Sequence, residues 1–220
     1  MAESLVSDTD RQELVTCYDA LLAAGLGTGS SGNVSSRTPD GMLITPTGAS
    51  PGQLQADQTV SMSLTGEVDQ GQMLPSSEWH MHAAVYQSRP DIGAIVHCHS
   101  RFATTIACTG RAIPAIHYMI AVTGLSEVPL VPYATFGTEA LAQSAAQGLA
   151  KGRACLLANH GQLAAGTDLA MALKVAVEVE ELAAIYWHAL AIGQEEVLSG
   201  QQMKDVEAAF VGYGQQRGTE

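Results

Sequence analysis

Basic residues are scarce in this sequence: ten lysines and arginines stand against 22 aspartates and glutamates, a formal net charge of −12. Nucleic acids and anionic membranes are bound by clustered cations that neutralise phosphates, so neither is an expected partner. The same deficit constrains a small-molecule site. If the ligand is a phosphate ester, the overall field repels it, and its pocket must be built from backbone N–H groups, hydroxyls and a metal. The chain also lacks an unbroken apolar run of about eighteen residues, and its first residues lack the basic segment and apolar stretch of a secretion signal, so a soluble, cytoplasmic protein is expected. Cys17, Cys98, Cys108 and Cys155 form no CxxC pair. In mostly apolar surroundings they read as reduced, buried thiols rather than a disulfide framework. A chain of 220 residues suffices for one well-buried core, and the expectation is a single domain over 1–220.

Helical and extended patterns alternate along that domain. Residues 4–26 have a serine or aspartate start, apolar positions at helical spacing and a stop at Gly25, the pattern of an amphipathic helix. A stretch dense in glycine, serine and threonine follows, with short extended segments near Val34 and from Met42 to Thr45; Asn33 and the turn Thr45-Pro46-Thr47-Gly48 favour a site here over a linker. Strands are expected from Thr59 to Leu64 and near Glu67 to Met73. Pro75-Ser76-Ser77 then opens a helix that ends before Pro90. IGAIVHCH (92–99) reads as a buried strand, RFATTIACTG (101–110) as a short helix, and IPAIHYMI and VPLVPYATF as short extended pieces. Thr138 caps an alanine-rich helix, ACLLANHG is a strand ending at Gly161, and a long helix runs from Thr167 to about Ile192. The alternation gives an α/β layered fold with helices on both sides of a central sheet, expected to be largely antiparallel, and a mobile tail is expected from about residue 205.

The sharpest chemical feature is His97-Cys98-His99 at the end of an apolar strand. Residues i and i+2 of a strand project from one face and can share a metal ion. Neutral imidazole is a good zinc ligand, and a catalytic zinc site needs about three protein ligands with a position left open. His160, at the end of a second apolar strand, is the candidate third ligand. His80-Met81-His82 has the same spacing on a predicted helix, where the two residues lie about 200° apart and cannot both face one ion. They read as a surface and a packing residue respectively, with His82 on the same helical face as Glu78. Glu78 follows two serines at a helix start, which suits acid/base chemistry but is also ordinary for an acidic residue near a helix dipole; free N–H groups with Ser76 and Ser77 make an anion site.

GTGSSGNVSSR, ITPTGASP, PSSEWHMH, IVHCHS, IPAIHYMI, PYATFGT and ANHG occur in this order between Leu14 and Tyr213, and together they resemble the class II aldolase and epimerase family. The resemblance implies one Zn2+ per subunit on His97, His99 and His160, with Glu78 as catalytic acid/base that also touches the resting metal. It implies a phosphate pocket from Asn33, Thr47, Gly48, Ser76 and Ser77, a proton-exchanging Tyr118 donated by a neighbouring subunit, and substrate-proximal Phe136 and Tyr213. It further implies a closed homotetramer with sites at subunit interfaces. The expected substrate is a phosphorylated small molecule: L-fuculose 1-phosphate, or a 5-deoxy- or 5-methylthio-ribulose 1-phosphate, cleaved to dihydroxyacetone phosphate and an aldehyde. Related epimerases typically carry Asp at the place of Glu78, which favours the aldolase. Epimerase, decarboxylase and dehydratase activities of the family remain alternatives, as does a zinc-binding scaffold without turnover. Asn159, before His160, departs from the family pattern and bears on the aldehyde pocket.

Overall fold

The computed structural model describes residues 6–50, 52–68 and 71–210. Helix α1 (Asp8–Ala23) starts at Ser7, whose hydroxyl accepts from Asp10 N–H while the Asp10 carboxylate accepts from Ser7 N–H. This reciprocal cap satisfies two orphan donors and contributes about 1 kcal/mol. The chain then forms β1 (Asn33–Thr38), β2 (Gly41–Ile44) and β3 (Val60–Met62), then α2 (Trp79–Ser88), β4 (Ala94–Cys98) and α3 (Arg101–Cys108). Two-residue strands β5 (Ile113–Pro114), β6 (Glu127–Val128) and β7 (Leu130–Val131) surround a 3-10 turn at Tyr118–Thr123. Helix α4 (Glu139–Gly148), the hairpin β8 (Ala154–Leu157) and β9 (Gly161–Gly166), and helices α5 (Leu169–Ile192) and α6 (Gly200–Phe210) complete the order.

Seven strands make one sheet in the order β3-β2-β1-β4-β9-β8-β7, antiparallel throughout except for the parallel pair β7–β8; β5 and β6 pair separately. Period-two alternation sends the two faces of each strand into different apolar layers. From β4, Ala94, Val96 and Cys98 join one layer with α1, α3 and α5, through residues such as Tyr18, Ile106 and Val179. Ile95 joins the other, with Met81, Val85 and Tyr86 of α2 and Leu141 and Ala145 of α4. Helices therefore cover both faces. Among the described residues no helix is long and apolar enough to cross a membrane.

Several expectations are corrected. Glu67 to Met73 forms no strand among the described residues; Val68 makes only an isolated bridge to Met62. Gly161 does not end a strand but begins β9, so His160 sits in the tight β8–β9 turn, where Asn159 takes a left-handed φ of 54°. Asparagine tolerates that region better than most non-glycine residues. The IHYMI segment is mostly a 3-10 turn rather than extended. Residues 205–210 belong to α6, which buries Met203, and the rest of the expected tail lies outside the described residues. Of the four thiols, Cys108 is exposed and the other three are buried.

Candidate metal centre

Strand register sets the site. Asn33 of β1 lies directly opposite His97 of β4, and His97 opposite Leu163 of β9, so Asn33, Ser35, Ile95 and His97 share the face covered by α2. Just beyond β4, His99 projects on the same side as His97, and the β8–β9 turn delivers His160 beside them. Gly161 permits this approach, because a Cβ there would stand 2.5 Å from the Cys98 carbonyl oxygen and 3.0 Å from the His99 ring. Glu78 reaches the cluster from the N-cap of α2. It sits just before the first turn rather than within it, makes no side-chain cap bond, and turns its carboxylate toward the sheet.

One candidate ligand atom from each of Glu78, His97, His99 and His160 lies within 4.8 Å of all the others. Glu78 Oε2 is 3.2 Å from His97 Nε2 and Oε1 is 3.1 Å from His160 Nε2, while His97 Nε2 and His99 Nε2 are 3.0 Å apart. The three imidazoles stand edge-on to one another, with interplanar angles of 70–74°. His97 Nδ1–H donates to the Gln162 carbonyl at 2.9 Å, which leaves its Nε2 lone pair facing inward. Gln162 is itself fixed by donating its side-chain amide to Ser100 Oγ and the Ala176 carbonyl.

These residues fit a divalent metal ion. Ring nitrogens facing each other at 3.0 Å beside a buried carboxylate form a lone-pair-rich pocket that a shared cation would stabilise. Glu78 Oε1 is buried and, although 3.1 Å from His160 Nε2, makes no hydrogen bond of good geometry, an arrangement of the kind a shared ion resolves. The electrostatics favour the ligating forms of Glu78 and His99. Burial pushes the Glu78 carboxyl up, but the charges and hydrogen bonds of His97 and His160 outweigh it and hold it below the usual carboxylate range. Desolvation, aided by His97 and His160 and opposed by Glu78, lowers His99 to about 4.

A cavity of about 300 Å³ opens from Glu78, His99 and His160 toward Ser77, Asn159, Tyr133 and Phe136. Tyr133 and Phe136 are 62% and 65% exposed at its rim. A larger groove of about 530 Å³ between α1 and the start of α5 has no histidine in its lining, so the smaller cavity is the one where chemistry converges.

The other expected site residues are spread differently. Ser76 is buried and its hydroxyl accepts from Glu78 N–H, whereas Ser77, Thr47 and Gly48 are exposed. Asn33 already donates one amide N–H to Glu78 Oε2 at 2.9 Å. Tyr118, 48% exposed, does not line the cavity; its ring packs near His117 and Phe210. Tyr213 lies outside the described residues. His80 is not a surface residue: it is partly buried, stacked on Trp79 at 3.8 Å, with Nδ1 buried and unpaired. His82, read as packing, is fully buried but bonded through both ring nitrogens to Asn33 and Ser35. The sequence signal for it was its position one helical turn from Glu78.

The pattern of the family described as class II aldolase and adducin N-terminal domain matches residues 12–187. An L-fuculose phosphate aldolase from Escherichia coli strain K12 is 45% identical over 205 residues, covering 93% of this chain and 94% of that protein. A 5-methylthioribulose-1-phosphate/5-deoxyribulose-1-phosphate aldolase from Rhodospirillum rubrum is 43% identical over 204 residues, covering 93% and 92%. The solved structure of an L-fuculose 1-phosphate aldolase superposes with a TM-score of 0.90 at 40% identity, covering 94% of this chain and 98% of that one.

Proposed function

Because the chain belongs to the class II aldolase and adducin N-terminal domain family, we propose that it is a metal-dependent aldolase that reversibly cleaves a ketose 1-phosphate into dihydroxyacetone phosphate and an aldehyde. The observation that carries this reading is the convergence of His97, His99, His160 and Glu78, of which Glu78, His99 and His160 line an open cavity and His97 is buried behind them. L-fuculose 1-phosphate and the 5-deoxy- and 5-methylthio-ribulose 1-phosphates are the candidate substrates, matching the activities in the relatives' names.

His97, His99 and His160 would hold the metal, with Glu78 touching it at rest, and zinc is the ion that suits three imidazoles and a carboxylate. The metal supplies Lewis acidity at the ketose oxygens when bound. Glu78 does the proton work. Its Oε2 is held by Asn33, and its Oε1, 3.1 Å from His160 Nε2, is the oxygen assigned to the reacting carbon: in condensation the carboxylate removes a proton from carbon 3, and in cleavage the same carboxyl returns that proton to the carbon left when the bond between carbons 3 and 4 breaks. Ser77, Thr47, Gly48, Ser76 and the second N–H of Asn33 are the neutral donors assigned to the phosphate, as an acidic protein requires. Phe136, on the cavity rim, is assigned to the aldehyde half; Tyr213, outside the described residues, is assigned a substrate-proximal role on the family resemblance alone.

Tyr118 is assigned to proton exchange with the C4 hydroxyl. Since it stands apart from the cavity of its own chain, that role needs a second copy, which supports a closed homotetramer with shared sites. The proposed setting is the cytoplasm, in keeping with the unpaired cysteines.

A coupled assay for dihydroxyacetone phosphate release from the three ketose phosphates, with and without chelator, tests the reading. Chelator-sensitive release supports it. Full metal loading with no release from any of them would reject the aldolase in favour of epimerase, decarboxylase or dehydratase chemistry, or of a zinc-binding scaffold.

A further inference from the structure

Four buried polar side chains run in single file behind Glu78. Asn33 Nδ2 donates to Glu78 Oε2 at 2.9 Å, Asn33 Oδ1 is 2.6 Å from His82 Nε2, His82 Nδ1 is 2.7 Å from Ser35 Oγ, and Ser35 Oγ is 2.8 Å from Tyr86 Oη. The far end is anchored, since Arg37 donates to the Tyr86 carbonyl and lies 4.6 Å over its ring.

The protons along this file follow from one end. A carboxylate only accepts, so the nitrogen of the Asn33 amide faces Glu78 and the oxygen faces His82. An amide oxygen only accepts, so His82 Nε2 carries a proton. His82 is fully buried, where a charged ring is disfavoured. A neutral imidazole has one N–H, so Nδ1 accepts from the Ser35 hydroxyl, which in turn accepts from Tyr86. Every donor thus has one acceptor and every step has one direction. Were the Asn33 amide reversed, its oxygen would oppose a carboxylate oxygen, exchanging a charge-assisted hydrogen bond for repulsion.

We infer that His82 is a positioning residue: held as its Nε2–H tautomer by Ser35 and Tyr86, it fixes the Asn33 amide so that the nitrogen holds Glu78 Oε2 and Oε1 is left for the reacting carbon. The role in turnover rests on the aldolase reading above; the proton arrangement does not.

Two measurements on the full-length, metal-loaded protein test it. In protein labelled with 15N-histidine, long-range proton–nitrogen correlation at neutral pH reads which His82 nitrogen bears hydrogen. The Nε2–H tautomer is expected, and an Nδ1–H or doubly protonated ring would overturn the inference. In steady-state kinetics, His82→Leu should retain stoichiometric metal while kcat falls about 10- to 100-fold with KM within about twofold. His82→Gln, whose amide N–H can still reach Asn33, should recover most of that loss. In an Asn33→Ala background, His82→Leu should cost no more than about a further twofold, because the two act in series. Independent, multiplicative losses, or a wild-type kcat in His82→Leu, would overturn the role. Should His82→Leu not fold, Ser35→Ala removes only the donor to Nδ1, and an unchanged kcat there would overturn it equally. A wild-type enzyme inactive on every ketose 1-phosphate would reject the aldolase reading while the nitrogen spectrum still decided the proton arrangement.

Discussion

The molecule carries two His-x-His triplets, and they part company completely. His97 and His99 bring their Nε2 atoms to 3.0 Å of each other at the end of β4. His80 and His82, on α2, diverge: one stacks on Trp79 and the other turns into the sheet to bond Asn33 and Ser35. Residue type and spacing are identical, so the backbone period makes the difference. Two steps along a strand return to the same face, whereas two steps along a helix rotate about 200°. The candidate ligand pair and the proposed positioning residue are therefore built from the same short motif on different secondary structures.

The comparison can be broken at its strongest point first. His99→Ala should remove the metal and with it nearly all turnover, and retained stoichiometric metal would show that the strand triplet is not the ligand pair. Glu78→Gln should keep the metal bound but lower kcat by about 10²- to 10⁴-fold, since an amide cannot move the proton; near-normal turnover would remove Glu78 from that role. The helical triplet should instead show itself in acid. Burial, with the His97 charge adding and Glu78 opposing, lowers His82 from 6.5 to about 3, so between those values the unfolded chain binds a proton that the folded one does not. The stability owed to neutral His82 is whole above pH about 6.5 and is lost progressively as pH falls toward about 3. Thermal unfolding from pH 7 to 4 should fall more steeply for the wild type than for His82→Gln, and equal slopes would dismiss His82 as a cause.

Smaller effects sharpen the contrast. Glu180 of α5 accepts from the N–H groups of Phe102 and Ala103 at 2.8 and 2.9 Å, capping the helix that leads away from His99. Glu180→Ala should cost about 1–2 kcal/mol in denaturant unfolding, with metal content unchanged. His80→Ala should be the mildest, with metal retained and kcat within about twofold; metal loss there would erase the distinction between the triplets.

Local pattern made much of this legible. The strand ending in His97 and His99, the helix after Ser76-Ser77 and the long helix to Ile192 follow from apolar periodicity and cap chemistry. Strand β9 escaped notice because GQLAAG is glycine- and alanine-rich, with little strand propensity of its own. Its composition answers to α5: a Cβ at Gly166 would stand 2.5 Å from the Ala172 nitrogen. Glu180 as the cap of α3 was equally hidden, because it lies far along the chain, while Ser100 at the N-cap position makes no side-chain cap bond and instead accepts from Gln162.

By itself the sequence determined which residues could ligate, which faces would be apolar and that the overall charge required a pocket of neutral donors, because these depend on residue chemistry and on periods of two or 3.6. The tertiary structure alone decided that Asn33 pairs with His97, that Glu78 turns from its helix toward the imidazoles, and that His82 serves Asn33 rather than the apolar layer. Those outcomes depend on strand register and on contacts between residues far apart in the chain, which no local period specifies; they arise when packing brings polar groups together out of water and each must find a partner.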